Sequence, residues 1–330
     1  MAITANTKIL TLDYWKHASH LQVGDYVFDA KGKLVKVTMV QEYHSAKCYE
    51  VTFNDYLSVT GDSKLAFPTE NFKYRNRLMA YKGKLRFRRP LRPLSTEDLL
   101  VTPLVNKANR KVISVPTANP LCLPHKDLPV PPFLFGFWFF SRKSTGKMVP
   151  ARGTAELVHE TFRDHGYKVR VCGITRTGER EFSVTPKIES QLIPNIPKVI
   201  TNNYLLASEE QRIMLLRGII CAKNRQYCER TDTFRFSSKN YDTVRRVQAL
   251  AESLGCKTSM QSDSNKKDYT VKFKSRINLH PEQASPPVKI HYGRRYIAKV
   301  DKIPAQLCVH IETDGPDGTI LAGEGFIACL

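Results

Sequence analysis

Apolar and polar residues alternate from Leu21 to Val40, on both sides of Ala30-Lys31-Gly32-Lys33. A period of two sends every second side chain to one face of a sheet, and a glycine between two such runs marks a hairpin turn. KCYEVTFNDYLSVTG continues in the same style, so the first hundred residues predict a barrel-like unit of short strands. Residues 103 to 132 lose the alternation and are rich in proline, which predicts an irregular linker.

Helical signals follow. PPFLFGFWFF opens on proline and is apolar all round, as a buried helix should be. Thr154 to His165 predicts a second helix, with Thr154 as N-cap and Gly166 just past its end. SEEQRIMLLRGIICA begins with the capping box Ser208-x-x-Gln211 and is another largely apolar helix with a central glycine. DTFRFSS predicts a strand. Tyr241 to Leu254 then predicts an amphipathic helix with Val244, Val247, Leu250, Ala251 and Leu254 on its apolar face and Gly255 ending it. The order of apolar glycine-bearing helix, strand material, amphipathic helix, glycine and strand thus occurs twice, which predicts an internal repeat. Gly136 and Gly218 stand where two apolar helices would pack backbone against backbone. Beyond Lys274 the chain is extended again, through GRRYIAKVDKIPAQLCVHIETD and the glycine-rich hairpin GPDGTILAGEGFIACL. Two ends of one character around a middle of another suggest a domain inserted at a loop of a β domain, an α+β fold.

Charge adds a partner to this picture. Fifty-one Lys and Arg against 31 Asp and Glu leave the chain at +20, with a pI of about 9.6. Such an excess predicts a polyanion, most often nucleic acid. From Lys73 to Arg92 there are nine basic residues and no acidic one. Lys82, Lys84, Arg86 and Arg88 alternate with Gly83, Leu85 and Phe87, which puts four charges on one strand face, either a binding surface or a solvated one. In the second half Arg235 lies between Phe234 and Phe236, Lys272, Lys274 and Arg276 share one parity, and Arg225 and Arg230 lie close by. No run of about 18 apolar residues is present, so no membrane span is expected. MAITANTKIL reads as no secretory signal. Eight cysteines without a CxxC pair read as reduced thiols and not as a disulfide framework or zinc site.

Several stretches resemble a known family. TKILTLDYWKHASHLQVGDYVF and VTGDSKLAFPT resemble the first two blocks of inteins, and KVDKIPAQLCVHIETDGPDGTILAGEGFI resembles their C-terminal blocks. LPVPPFLFGFWFF and YLLASEEQRIMLLRGII resemble the two helices of LAGLIDADG homing endonucleases. The chain therefore resembles a phage-type intein. The resemblance implies a mainly β, horseshoe-like Hint domain over residues 1–110 and 283–330, with an α/β LAGLIDADG pseudo-repeat inserted over 125–282.

The same resemblance implies two catalytic centres, and the residues at their positions depart from the family. Each LAGLIDADG helix should end in a carboxylate that holds a divalent metal such as Mg²⁺. Ser141 and Lys223 stand there instead, so metal and strand cleavage are expected to be lost. Ala2 occupies the position of the first splicing nucleophile. The class 3 subclass lacks that nucleophile and uses a cysteine that Cys308 matches; an ordinary buried strand cysteine is the other reading. Ser63 stands in place of the histidine of Thr-x-x-His, Leu65 in place of a tryptophan, and Leu330 where His-Asn is expected. Imidazole is the better proton donor at neutral pH, so splicing is expected to be lost as well. The helix at Thr154 begins thirteen positions after Ser141, too few for the usual DNA-facing hairpin, so one side of the DNA saddle should be shortened. Three functions remain open. The first is an inert protein that holds DNA or other nucleic acid in the cytoplasm of a phage host, without cofactor. The second is a structural or interaction subunit of a phage assembly, with an acidic-surfaced partner. The third is an endonuclease active through non-standard ligands.

Overall fold

The structure is a computed structural model. It describes residues 2–12, 14–71, 92–142, 146–176, 178–192, 199–222, 227–262, 268–275, 277–279 and 293–330. Short strands come first: β1 (Ala2–Thr4), β2 (Lys8–Leu10), β3 (Trp15–His17) and β4 (Tyr26–Phe28). β5 (Leu34–Ser45), β6 (Cys48–Phe53), β7 (Ser58–Asp62), β8 (Ala66–Asn71) and β9 (Arg92–Ser95) follow, then α1 (Thr96–Val101) and β10 (Ile113–Pro116). The middle of the chain begins with α2 (Pro132–Ser141), α3 (Ala155–Asp164), β11 (Lys168–Ile174), β12 (Arg180–Thr185), α4 (Ile188–Gln191) and α5 (Asn202–Leu205). It continues with α6 (Glu209–Cys221), β13 (Tyr227–Cys228), β14 (Thr233–Ser238), α7 (Tyr241–Ser253), β15 (Lys257–Ser262) and β16 (Tyr269–Lys274). The last strands are β17 (Arg294–Ile303), β18 (Gln306–Thr313), β19 (Ile320–Ala322) and β20 (Ile327–Cys329). The fold is α+β. Among the described residues no helix is long and apolar enough to cross a membrane.

Contacts divide the chain into two units, one of Met1–Cys122 with Gly293–Leu330, the other of Leu123–Tyr292. Among its described residues the first unit is β apart from α1 and short helical turns. Ten strands form one sheet in the order β4-β5-β18-β1-β7-β6-β17-β10-β8-β9, and β20-β19-β2-β3 form another. Ile3, Val37, Val51, Phe67, Ile297 and Val309 of the larger sheet are buried. The β4–β5 hairpin has Val27 opposite Val35, and Gly32 turns it with φ +76°. A Cβ at Gly32 would lie 2.1 Å from Pro120 O, so both backbone angle and space demand glycine.

The stretch 103–132 departs from its expectation. Ile113–Pro116 is strand β10, with Ser114 paired to Tyr296 of β17 and to Glu70 of β8. Four residues are too few to show a period, and the prolines around them hide the strand. Pro116 is tolerated because it is the last residue of β10, where the missing N–H breaks little of the ladder. The chain stays attached past that point, since Cys122 N donates to Gly32 O at 2.7 Å.

In the second unit, α2 begins with Pro132 at its first position and buries Phe133 to Trp138. Its rings build the core: Phe135 stacks on Tyr204 with centroids 3.9 Å apart, and Phe137 packs on Phe162 and Phe182. Each fully buried phenylalanine contributes about 1.5–3 kcal/mol. The capping box of α6 is formed, with Ser208 Oγ accepting from Gln211 N and Gln211 Oε1 accepting from Ser208 N. Thr154, by contrast, caps nothing. Its hydroxyl donates to Ala151 O at 2.8 Å, which closes the preceding turn and leaves the first turn of α3 without a side-chain cap. The two halves also differ in their sheets. β13-β14-β16-β15 is four-stranded, whereas the first half has β11 and β12 with Met148 bridging Arg142 and Phe182.

Candidate nucleic-acid interface and catalytic positions

Helices α2 and α6 meet at their glycines. A Cβ at Gly136 would lie 2.5 Å from Leu215 O, and one at Gly218 would lie 2.1 Å from Phe133 O and 2.9 Å from Phe137 N. The backbones are therefore in direct contact, and the helix ends are fixed by it. At the end of α2, Ser141 is 8% exposed and its Oγ has no hydrogen-bond partner. Arg142 follows, its guanidinium 4.3 Å from the Trp138 ring centroid. At the end of α6, burial pushes the Cys221 thiol up to about 12. Lys223 and Arg225 lie outside the described residues. A divalent cation requires several hard, mostly anionic oxygens. One neutral hydroxyl beside a guanidinium does not supply them, and the donors described at the end of α2 do not fit such an ion.

The four-stranded sheet has one apolar face and one basic face, because its strands alternate. Phe234, Phe236, Val271 and Phe273 are buried. Arg235 is exposed, and Lys272 and Lys274 are half-buried on the opposite face. Arg235 pairs with Lys272, and Lys272 with Ser259, so these residues form a row across three strands. Lys274 pairs with Lys257, a cation that the sequence pattern does not mark because KTSMQS shows no alternation. Directly opposed residues share a face, so Arg235, Lys257, Lys272 and Lys274 belong to one surface. Lys272 Nζ donates to Gln261 Oε1 at 3.0 Å. Arg230 is exposed in the turn between β13 and β14, outside this row. Lys82, Lys84, Arg86, Arg88 and Arg276 lie outside the described residues.

The splicing positions come together in the first unit through the strand order β18-β1-β7. Ala2 pairs with His310, and Thr4 pairs with Cys308. Thr4 Oγ1 and Thr60 Oγ1 share a hydrogen bond of 2.6 Å. Ser63 and Leu65 lie in the turn after β7, where Asp62 Oδ1 accepts from Lys64 N and Leu65 N, each at 2.9 Å. Tyr43 OH donates to the other Asp62 oxygen at 2.7 Å, and burial together with that carboxylate raises the Tyr43 phenol. Leu330 is tied to β8 by hydrogen bonds in both directions with Ala66. Cys308 is fully buried, with its Sγ 3.8 Å from Cys48 Sγ. Burial, then the Cys48 thiol and Asp62, push the Cys308 thiol up to about 12. The thiolate is the nucleophilic form, and at neutral pH Cys308 holds almost none of it. Cys48 and the Asp62–Tyr43 pair escaped the sequence pattern, since they lie far along the chain from Cys308.

No family model matches the chain. The replicative DNA helicase DnaB of Mycobacterium intracellulare is 25% identical over 349 aligned residues, which cover 99% of this chain and 58% of that protein. The chain thus spans less than two thirds of the length of this curated relative. Among solved structures, the MchDnaB-1 intein is 28% identical at a TM-score of 0.20, covering 21% of this chain and 53% of that one. Mesophilic variants of the homing endonuclease I-DmoI are 13% identical at a TM-score of 0.32, covering 46% and 92%.

Proposed function

We propose that the chain is an intein-derived protein, a Hint-type unit carrying a LAGLIDADG-type unit, that neither splices nor cuts and holds nucleic acid electrostatically. The observation that carries this reading is the basic face of the second unit, where Arg235, Lys257, Lys272 and Lys274 are braced from behind by buried aromatic rings. Cations on a twisted sheet contact phosphates and supply affinity without sequence readout. Ser141 at the end of α2 and Lys223 in the sequence of the second motif support the loss of cleavage; Ser63, Leu65 and the protonated Cys308 support the loss of splicing. The likeness to a replicative DNA helicase supports descent from a gene of DNA replication.

Fluorescence anisotropy with a labelled duplex tests the binding. Affinity should fall linearly in log–log form with salt. The triple substitution of Arg235, Lys272 and Lys274 to Ala should flatten the slope by about 2–3, at roughly 0.9 per phosphate contact. A protein that fails to bind duplex at about 50 mM salt sinks the proposal. Incubation with plasmid and Mg²⁺ or Mn²⁺ should leave the DNA intact, and discrete cleavage products would overturn the assignment of inactivity.

A further inference from the structure

The half of the second unit in which β11 pairs with β12 has a cleft of its own. About 450 Å³ of space lies between α3 and the β11–β12 turn. Glu156, His159 and Arg163 line one wall, spaced by three and four along α3 so that they share a face. Arg152 stands just before the helix, and Glu179 and Arg180 line the opposite wall.

Four features of this cleft favour an anion. Three arginines border it. Arg163 and Arg180 are exposed, and no ion pair holds either of them among the described residues. Of the two carboxylates, Glu179 accepts a hydrogen bond from Thr175 Oγ1 at 2.7 Å and is engaged within its own hairpin. The first turn of α3 has no side-chain cap, so its N–H groups keep part of their positive charge, although Glu156 in the same turn offsets some of it. Finally, His159 is 7% exposed and lines the cleft, and its Nε2 is itself closed to solvent and has no hydrogen-bond partner. An anion in the cleft therefore acts on the charge of the ring through space and not by direct contact.

We propose that this cleft is a binding site for a phosphate group, held by Arg163 and Arg180 with His159 beneath it. The volume exceeds that of a bare ion and leaves room for the organic part of a phosphate ester. The groups facing His159 are Glu156 and Arg163 from its own helix, Arg152 before it, and Arg180 and Glu179 from the hairpin. Burial, then Arg163 and Arg180, lower its pKa in the free protein. A bound anion opposes both arginines and raises it, so binding takes up a proton. Affinity is therefore greatest below the free pKa and weakens as pH rises through the bound one. The site shares no residue with the basic sheet face and stands whether or not that face binds duplex.

Calorimetric titration of the whole chain with inorganic sulfate, whose charge is constant between about pH 5.5 and 8, tests this without titration of the probe. Ionic strength is held with chloride. Sulfate should bind saturably, more tightly at the lower pH, and roughly tenfold or more weakly in the Arg163→Gln/Arg180→Gln variant. The Arg163→Lys/Arg180→Lys variant keeps the charge and should keep measurable binding, which separates loss of the site from loss of fold. Competition then names the source. Displacement of sulfate by a nucleoside monophosphate assigns a free nucleotide, and displacement by duplex DNA assigns a phosphodiester strand. Absence of saturable binding in the unsubstituted chain overturns the proposal, as does equal affinity in the glutamine variant.

Discussion

At Gly218 there is no space for a methyl group. Its Cβ would sit 2.1 Å from one backbone atom of α2 and 2.9 Å from two others, and backbone cannot rotate away as a side chain can. Gly218→Ala must push α2 and α6 apart and loosen the phenylalanine core between them. The expected cost is about 3 kcal/mol or more in urea denaturation, at the upper end for overpacking. Gly173→Ala is the contrast. Its methyl would meet only Glu181 Oε2 at 3.7 Å, and the change should be within about 1 kcal/mol of neutral. Cysteine chemistry divides equally clearly. Cys122, Cys172 and Cys228 are exposed, whereas Cys48, Cys221, Cys256, Cys308 and Cys329 are buried. A thiol reagent should label the first three in the native protein and the other five only on unfolding. Cys228 should react fastest, because hydrogen bonds with Thr231 hold its thiol below the usual range. Labelling of native Cys308 would contradict its burial. The glycines were legible in the sequence because each recurs at the same place in a repeat. The Asp55–Arg295 ion pair, 2.8 Å long and almost wholly buried, was not, since nothing local links positions 240 apart.

Elements were legible in proportion to their length and period. The capping box of α6, the proline start of α2 and the apolar stripe of α7 are local signals, and each formed where its residues stand. β10 has no such signal. It exists because β17 and β8 offer unpaired edges on either side of it, a tertiary cause that four residues cannot announce. Asn240 caps α7 by accepting from Thr243 N at 3.1 Å, while the more conspicuous Thr154 bonds backward instead. Competition between a cap and the preceding turn is decided by the chain path, which residue type alone does not reveal. The box on α6 also has a second task. Gln211 Oε1 accepts from Lys126 N at 3.0 Å and Gln211 Nε2 donates to Lys126 O at 2.6 Å, which fastens the segment entering α2. Ser208→Ala should therefore cost about 1 kcal/mol, the ordinary value of a lost N-cap. Gln211→Ala should cost about 2–3 kcal/mol, because it leaves the Lys126 peptide groups unpaired as well. Equal losses in chemical denaturation would show that the Lys126 link is not made.

Charge is distributed unevenly over the molecule. Residues 123–292 hold 28 Lys and Arg against 16 Asp and Glu. The rest holds 23 against 15, and nine of those 23 fall within Lys73–Arg92. Outside that stretch the first unit is close to neutral, so the affinity for polyanions proposed above belongs mainly to the middle of the chain. Removing the middle is feasible on geometric grounds. β10 runs antiparallel to β17, and Thr117 N donates to Gly293 O at 2.7 Å, so the chain leaves the first unit beside the point where it returns. Only 118–122 separate that pair from the boundary, with Asn119 bonded to Ala30 and Cys122 to Gly32. Five extended residues span at most about 18 Å, a distance that a Gly/Ser linker of roughly six residues covers. A chain with 123–292 replaced by such a linker should fold cooperatively, with a β-type circular dichroism spectrum, since every strand of both first-unit sheets is kept. It should also bind duplex DNA at least tenfold more weakly at low salt, because the row of Arg235, Lys257, Lys272 and Lys274 goes with the deleted segment. A folded deletion that still binds as tightly as the whole chain would move the interface to Lys73–Arg92. A deletion that fails to fold would mean that the first unit depends on the second for its stability, against the separate cores described here.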